Sequence, residues 1–266
     1  MRTMRLLGVF LATFGLTACL NSTTIVKLKT DGSGTIEQTT LMNTAALKGV
    51  GGGAGQPQAR GPLSNKADLE RAAERMGKGV KLVSTEPASG EPGWEGTKAI
   101  FSFDDITQVQ INTEPNVGDS PLGAAPKGED PVKFKFTRNG GTSTLAIDFI
   151  DKPPAKAKEK LDQPQELPDL TNPMIMGMLK TMFQGFKVNV ALDVVGSIVK
   201  TNAAYVSGPR VTLLELDVAA LLADEAKLKV LQSKLGPDVS FTELKPYLKD
   251  IKGIKIDGPS ISIEFR

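Results

Sequence analysis

The chain has 266 residues, enough for one or two domains with a sizeable core, and it is 40% hydrophobic and 23% charged. This composition is that of an ordinary soluble protein, which excludes collagen-like, coiled-coil and polytopic membrane classes. The sequence contains no histidine. Ser-His-Asp triads, Cys-His pairs and histidine-ligated metal sites are therefore excluded.

The first 18 residues have the pattern of a signal peptide. Arg2 and Arg5 form a basic start, and Leu6 to Leu16 is an apolar stretch too short to span a bilayer. Small residues then lead to Cys19, the single cysteine of the chain. We expect cleavage between Ala18 and Cys19. Removing the two arginines brings the formal net charge from +2 to zero, so no basic surface for nucleic acid is expected.

The segment Leu16-Thr17-Ala18-Cys19 resembles the lipobox of bacterial lipoproteins. The resemblance implies a diacylated Cys19 thiol and a stable membrane anchor, since each buried methylene contributes about 0.8 kcal/mol. Leu20 follows the cysteine instead of an aspartate, and the usual sorting rule then favours the outer membrane where a cell has one. Two alternatives are an ordinary signal peptide with an incidental cysteine and an uncleaved anchor.

Residues 19–150 predict an N-terminal α+β part. Asn21–Met42 alternates apolar and polar residues around a glycine-rich turn and predicts a hairpin. Asn65 is expected to cap a helix over Lys66–Met76. Gly49–Pro62 predicts a loop, and Asn112–Pro131 a connection rich in proline and glycine. Further strands are predicted over Val80–Thr85, Thr97–Phe103, Val132–Thr137 and Ser143–Ile150.

Residues 151–172 predict a linker rich in proline and charge, and residues 173–266 a C-terminal α+β part, separate from 19–150 or joined with it in one domain. The predicted helices cover 173–185, 218–235 with a break at Asp224, and 240–248. The predicted strands are Lys187–Val195 paired with Ser197–Ala203 about Gly196, then Val211–Leu216, Ile254–Ile256 and Ser260–Phe265. Short turns favour antiparallel pairing, so we expect an α+β fold: a mostly antiparallel sheet of hairpins with about four short helices packed on it.

Two acidic motifs suggest chemistry, and each has a structural alternative that we favour. The Asp31-Gly32-Ser33-Gly34 segment lacks the order of an aspartic-protease motif, and Met42 stands where a calcium loop needs glutamate. We therefore expect a hairpin turn. Asp104 and Asp105 are adjacent after a strand, where side chains point to opposite faces, which favours a strand end or a helix cap over a catalytic pair.

Trp94, the only tryptophan, is surrounded in sequence by Glu86, Glu91 and Glu95. Carboxylates beside an aromatic ring are typical of some sugar and cation sites. We favour the alternative that the indole packs over a turn. Catalytic signatures such as Gly-x-Ser-x-Gly and the phosphate-binding loops are not present in the sequence. We therefore expect no enzyme activity, no cofactor and no metal site.

The methionines cluster between Met174 and Met182. Met174, Met178 and Met182 are spaced by four residues and form one stripe on a helix, with Met176 off the stripe. Methionine gives adaptable apolar surfaces, so the stripe suggests a groove for an acyl chain or a partner helix. The alternative is simple core packing, which we expect for Met178 and Met182, with Met174 nearer the surface.

The lipobox, the Thr24–Thr35 hairpin segment and the Ser197–Leu216 strands joined through Gly208 together resemble LppM-like lipoprotein domains. The resemblance covers Asn21–Met42 and Lys187–Leu216. It implies a lipid-anchored α+β module at the cell envelope, and the family offers no catalytic motif to carry across.

We therefore expect a lipid-anchored envelope module that binds or assembles with an envelope protein, lipid or glycan. One alternative is a hydrolase of envelope polymers that depends on two carboxylates about 5–10 Å apart in a cleft. Another is a purely structural surface lipoprotein.

Overall fold

The computed structural model describes residues 20–44, 65–111, 132–149, 172–234, 241–249 and 251–266. The predicted signal peptide, Cys19, the loop over 49–62 and the connection over 112–131 lie outside these ranges. So does the predicted linker, except for its last residue, Asn172.

Within these ranges the chain forms twelve strands and five α-helices. The strands are β1 Leu20–Leu28, β2 Gly34–Asn43, β3 Lys81–Ser89, β4 Trp94–Phe103, β5 Val132–Asn139, β6 Thr142–Phe149, β7 Lys187–Val194, β8 Ile198–Thr201, β9 Val206–Ser207, β10 Arg210–Asp217, β11 Ile254–Ile256 and β12 Ser260–Phe265. The helices are α1 Lys66–Arg75, α2 Pro173–Met182, α3 Val218–Ala223, α4 Glu225–Lys234 and α5 Phe241–Leu248.

The strands form two sheets. The larger has the order β11-β10-β7-β1-β2-β4-β3, with β9 paired to β10, and the smaller has the order β5-β6-β12-β8. Strands β1 and β7 are parallel, and the other described pairs are antiparallel. The chain is therefore an α+β protein with one mixed and one antiparallel sheet.

Both sheets contain strands from both sides of residues 150–171. Strand β1 pairs with β7 in the larger sheet, and β6 pairs with β12 in the smaller one. Strand β1 therefore lies in the centre of the larger sheet, with β2 on one side and β7 on the other.

The first hairpin forms as its sequence predicts. Side chains alternate between buried and half-buried along β1 and β2, and Gly32 turns the chain at a φ of +90°. Asp31 Oδ1 accepts hydrogen bonds from the Ser33 hydroxyl at 2.7 Å and from the Ser33 N–H at 2.9 Å. These bonds lower the pKa of Asp31 below its usual value. The motif is a turn, as expected.

The predicted pairing of Lys187–Val195 with Ser197–Ala203 is wrong, because β7 and β8 belong to different sheets. Gly196 has a φ of +136°, and a Cβ there would lie 2.1 Å from the carbonyl oxygen of Arg266. Ser197 and Arg266 exchange two backbone hydrogen bonds, of 2.8 and 3.1 Å. Glycine at this position lets the chain cross from the larger sheet to the smaller one instead of turning back.

The main core lies between the two sheets, with α1 packed beside it. We call these elements the β-sandwich. Asn65 caps α1 as predicted, since its side chain accepts a hydrogen bond from the Asp68 N–H at 2.8 Å. The largest side chains with less than 2% exposure in this core are Phe101, Phe265, Leu28, Ile36, Ile106, Leu145, Ile147, Leu192, Ile261 and Ile263.

Helices α2 to α5 pack beside the β-sandwich, and we call them the helical cap. The predicted helix over 218–235 is divided at Asp224, whose side chain accepts a hydrogen bond from the Lys227 N–H at 3.1 Å and so begins a new helix. The described residues therefore contain five α-helices instead of about four. None of the helices that the structure describes is long and apolar enough to cross a bilayer.

Candidate functional site

Helix α2 carries the methionine-rich segment. Asn172 accepts a hydrogen bond from the Met174 N–H at 2.9 Å, and Pro173 occupies the first helical position, where a backbone N–H would have no helical partner. After the helix ends at Met182, Gly185 turns the chain into β7 with a φ of +83°. The methionines are thus held close to the start of β7.

The expectation that Met178 lies in the core is wrong. Met174 is 83% exposed and Met178 is 49% exposed, whereas Met176 is only 7% exposed and packs with Leu222 and Leu228. Spacing by four residues places Met174 and Met178 on one face, and that face points to solvent. The side chain of Met182 lies outside the described part of the structure.

The buried face of α2 contains Met176 together with Leu179 and Phe183, which follow it by three and seven residues. These side chains belong to the cluster that packs against α3 and α4. The sequence spacing of the methionines does not contain this information, because which face is buried depends on where α3 and α4 lie.

A cleft of about 320 Å³ opens between α2 and α4. Its described lining residues are Pro173, Met176, Gly177, Lys180, Glu225, Leu228 and Lys229. Met176 and Leu228, each at least nine-tenths buried, give it an apolar floor. A Cβ on Gly177 would meet nothing within 4 Å, so this side of the cleft is open. We call this feature the α2–α4 cleft.

The rim of the α2–α4 cleft is charged. Lys180 Nζ lies 3.1 Å from Glu225 Oε1, which links the two helices across the opening. Both side chains are substantially exposed, so this pair contributes little to stability. Among the described lining residues Glu225 is the one carboxylate. Because Lys229 adds a positive charge to this ion pair, the cleft offers an apolar floor and a rim of net positive charge. This combination is suited to an apolar group with a polar or anionic end.

Sequence reasoning singled out neither Gly177 and Lys180 on α2 nor the three lining residues of α4, Glu225, Leu228 and Lys229. Helix α4 is separated from α2 along the chain by strands β7 to β10 and by α3. The available signal was the run of apolar residues over Val218–Leu235, which predicts a packed helix but not its partner.

The predicted carboxylate motifs have structural roles. Asp105 caps the short 3-10 helix over Ile106–Gln108 by accepting hydrogen bonds from the Thr107 N–H at 2.9 Å and the Thr107 hydroxyl at 2.8 Å. Asp104 is exposed beside it. The described residues contain no group of three or more acidic or thiol side chains placed to hold a metal ion.

Trp94 lies at the start of β4, and its indole covers the turn at Gly185. A Cβ on Gly185 would come within 2.4 Å of the indole Cζ2 atom. Of the neighbouring glutamates, Glu86 pairs with Lys98 at 3.2 Å, while Glu91 and Glu95 are exposed. The tryptophan therefore packs over a turn, and that turn is the one that joins α2 to β7.

The outer face of the larger sheet carries pairs of opposite charges on neighbouring strands. Arg210 Nε on β10 lies 2.7 Å from Asp193 Oδ1 on β7, and hydrogen bonding to Asp193 raises the pKa of Arg210. Lys27 on β1 pairs with Glu37 on β2. The opposite charges within each pair neutralise one another, so these pairs do not form a surface of one charge sign that would attract a charged ligand.

The predicted lipidation and cleavage residues, Cys19 and Ala18, lie outside the described residues. The first described residue, Leu20, is nevertheless the first residue of β1. The sequence therefore places the predicted anchor directly beside a central strand of the larger sheet.

No family model matches the chain, and no curated protein matches it. Among solved structures the chain is similar to the folded domain of LppM from Mycobacterium tuberculosis, determined by NMR, at 11% sequence identity and a TM-score of 0.33. This similarity covers 93% of the present chain and 90% of the LppM domain.

Proposed function

We propose that the chain is a lipid-anchored binding or assembly module of the bacterial cell envelope, held through Cys19 at the outer membrane where the cell has one. The α2–α4 cleft is the observation that carries the binding role. The lipobox resemblance of Leu16-Thr17-Ala18-Cys19 supports the anchor.

The size and lining of the cleft favour an apolar occupant. Its volume of about 320 Å³ is at the lower end of typical ligand pockets, which suits one acyl chain segment or one large apolar side chain. Met176 is unbranched and polarizable, so it adapts to occupants of different shape. Lys229 at the rim, whose charge is additional to the Lys180–Glu225 pair, complements a polar or anionic end of the occupant. A lipid or a protein partner fits this description better than a glycan.

The hydrolase alternative requires two carboxylates that face one cleft. Among the described residues that line the α2–α4 cleft, Glu225 has no second carboxylate beside it and its partner is Lys180. We therefore keep the binding module as the proposed function.

The anchor is tested by changing Cys19 to Ser in a bacterial host that is fed a fatty-acid analogue. The wild-type chain should incorporate the analogue and lose its first 18 residues, while Cys19→Ser should accumulate as unlabelled precursor. Thr17→Ala, which keeps a small residue in the lipobox, should be processed normally. Labelling of the Cys19→Ser chain would contradict the proposed anchor.

The binding role is tested by filling the cleft. Gly177 lines the cleft, and a Cβ there would meet nothing within 4 Å, so Gly177→Phe adds a ring at the opening of the cleft without displacing a neighbour of that Cβ. Gly141→Phe is the matched control, since Gly141 also has free space around it and lies in the β5–β6 turn, on the sandwich. Chains purified from detergent-solubilised envelope are compared by native mass spectrometry. A lipid or protein that co-purifies with wild type and Gly141→Phe should be lost from Gly177→Phe, and equal recovery from all three would exclude the cleft as the binding site.

A further inference from the structure

The predicted anchor has no spacer. Cys19 is bonded to Leu20, and consecutive Cα atoms are about 3.8 Å apart. Leu20 already pairs with Met42 on β2, and Asn21 pairs with Lys187 on β7. An acylated Cys19 would therefore fix one end of the larger sheet at the lipid headgroups, with no flexible segment between the sheet and the bilayer.

The strand register defines which elements share that end of the sheet. Lys187 begins β7 opposite Asn21, and Asp217 ends β10 opposite Lys187. Helix α2 therefore reaches the sheet at this end through the Gly185 turn, and α3 leaves from it directly after Asp217. Trp94 begins β4 at the same end and packs on Gly185. The helical cap and the predicted lipid anchor are thus on one side of the molecule.

The cap carries the most exposed large apolar side chain among the described residues, that of Met174, and Met178 lies one turn further along the same face of α2. Two of the nearby lysines are paired: Lys187 with Asp217 at 3.2 Å, and Lys180 with Glu225 at 3.1 Å. Two methionines alone bury too little apolar surface to hold a protein at a membrane. A covalent anchor beside them changes this, because it makes their contact with lipid an intramolecular event at high effective concentration.

We infer that the methionine face of α2, formed by Met174 and Met178, lies against the headgroup region of the anchoring membrane. This inference rests on the proposed acylation of Cys19. It gives the module one orientation, in which the helical cap faces the bilayer and the Gly32 turn lies at the opposite end of β1. The first and last residues of this nine-residue strand are about 26 Å apart, at about 3.3 Å per residue.

The test places a fluorescent label at one chosen position of the acylated chain. Cys19 is the only cysteine, so once it is acylated a Met174→Cys or Met178→Cys substitution gives a single free thiol for a bimane label. The matched control is Val195→Cys. Val195 is 54% exposed, similar to Met178, but its N–H bonds to the Leu28 carbonyl at the far end of β1. Each labelled, acylated full chain is reconstituted into vesicles of phosphatidylethanolamine and phosphatidylglycerol that contain a lipid with a nitroxide near its headgroup.

The expected result is a loss of bimane fluorescence at Met174→Cys and Met178→Cys, and none at Val195→Cys. Vesicle-bound chains with no quenching at any position, or with equal quenching at all three, would overturn the inferred orientation and leave the anchor intact. Chains that remain in the aqueous fraction after reconstitution would instead overturn the proposed anchor, and the orientation with it. Flotation of the vesicles separates these outcomes.

Discussion

The β-sandwich and the helical cap differ in how completely they exclude solvent. In the sandwich, Phe101, Phe265 and Leu145 are each 0% exposed. In the cap, the buried residues Met176, Leu228 and Leu231 are 5–7% exposed and belong to clusters of three to five residues. Helix α5 also contains Pro246, which removes a backbone donor from its interior.

This difference assigns different roles to the two regions. The sandwich has the continuous core that stabilises a fold, whereas the cap has short helices, exposed methionines and an open cleft. Regions of low local stability are where binding surfaces that must adapt are commonly found. We therefore expect substitutions in the sandwich to affect stability most, and substitutions in the cap to affect binding more than stability.

The largest expected effect is that of Phe101→Ala in the sandwich. Removing a fully buried ring loses its transfer free energy and leaves a cavity, so the free energy of unfolding should fall by about 3–5 kcal/mol. Val199→Ala, at a position that is 51% exposed, should change it by less than about 0.5 kcal/mol. Urea unfolding of acyl-free residues 20–266 measures both. A loss below about 1 kcal/mol for Phe101→Ala would show that the region is less rigidly packed than its burial indicates.

The second prediction concerns the crossing between the sheets. Gly196→Ala would place a Cβ 2.1 Å from a backbone oxygen at an unfavourable φ, so we expect a loss of about 2–4 kcal/mol. Gly208→Ala is the control: its φ is +59°, but nothing lies within 4 Å of the added atom, and a loss of about 1 kcal/mol is expected. Thermal unfolding of the two variants compares them directly. Equal losses would mean that Arg266 does not constrain the crossing.

The third prediction compares two methionines of the same helix. Met176→Ala should lower the free energy of unfolding by about 2 kcal/mol, at the low end for a buried methionine because its cluster is small and can collapse. Met178→Ala should change it by less than about 0.5 kcal/mol. Mild peroxide followed by peptide mapping gives an independent measurement, since oxidation follows exposure: Met174 and Met178 should oxidise faster than Met176. Equal rates would contradict the assigned faces of α2.

The smallest effect is expected for Asp148 on β6, an exposed carboxylate that contacts residues of the neighbouring strands β5 and β12. The Ser260 hydroxyl donates to Asp148 Oδ1 at 2.8 Å and Lys135 lies 3.1 Å from Oδ2, and these partners lower the pKa of Asp148 below its usual 3.8. A carboxyl whose pKa is lowered by folding stabilises the folded state at pH values above its usual, unfolded-state pKa. This stabilisation is lost as the pH falls through the lowered pKa of the folded state. Wild type should therefore exceed Asp148→Asn slightly in urea midpoint near neutral pH, and the difference should shrink in acid. A difference that is constant with pH would contradict this.

The sequence predicts those parts of the fold that depend on neighbouring residues. Alternation in Asn21–Met42, the Asp31–Gly34 turn and the Asn65 cap are local patterns, and the structure contains all three. The parallel pairing of β1 with β7 and the crossing at Gly196 depend on segments far away in the chain. A glycine between two apolar runs predicts a reversal of direction, but the same residue also allows a close backbone approach, and only the position of Arg266 decides between them.

The candidate site was predictable in part. The clustering of methionines on α2 is visible in the sequence, and periodicity places Met174 and Met178 on one face. Which face is buried is decided by α3 and α4, since Met176 packs against Leu222 and Leu228. The cleft itself depends on the contact between α2 and α4, for which the sequence contains no local signal.

The parallel pairing of β1 with β7 has a consequence for how the protein folds. Hairpin β1–β2 is local, so we expect it to form before the other edge of β1 pairs with β7, which lies far along the chain. During that interval an open, partly apolar strand edge is available for pairing with another chain. The high contact order of this central pair predicts slow folding, and aggregation during refolding should therefore rise with protein concentration.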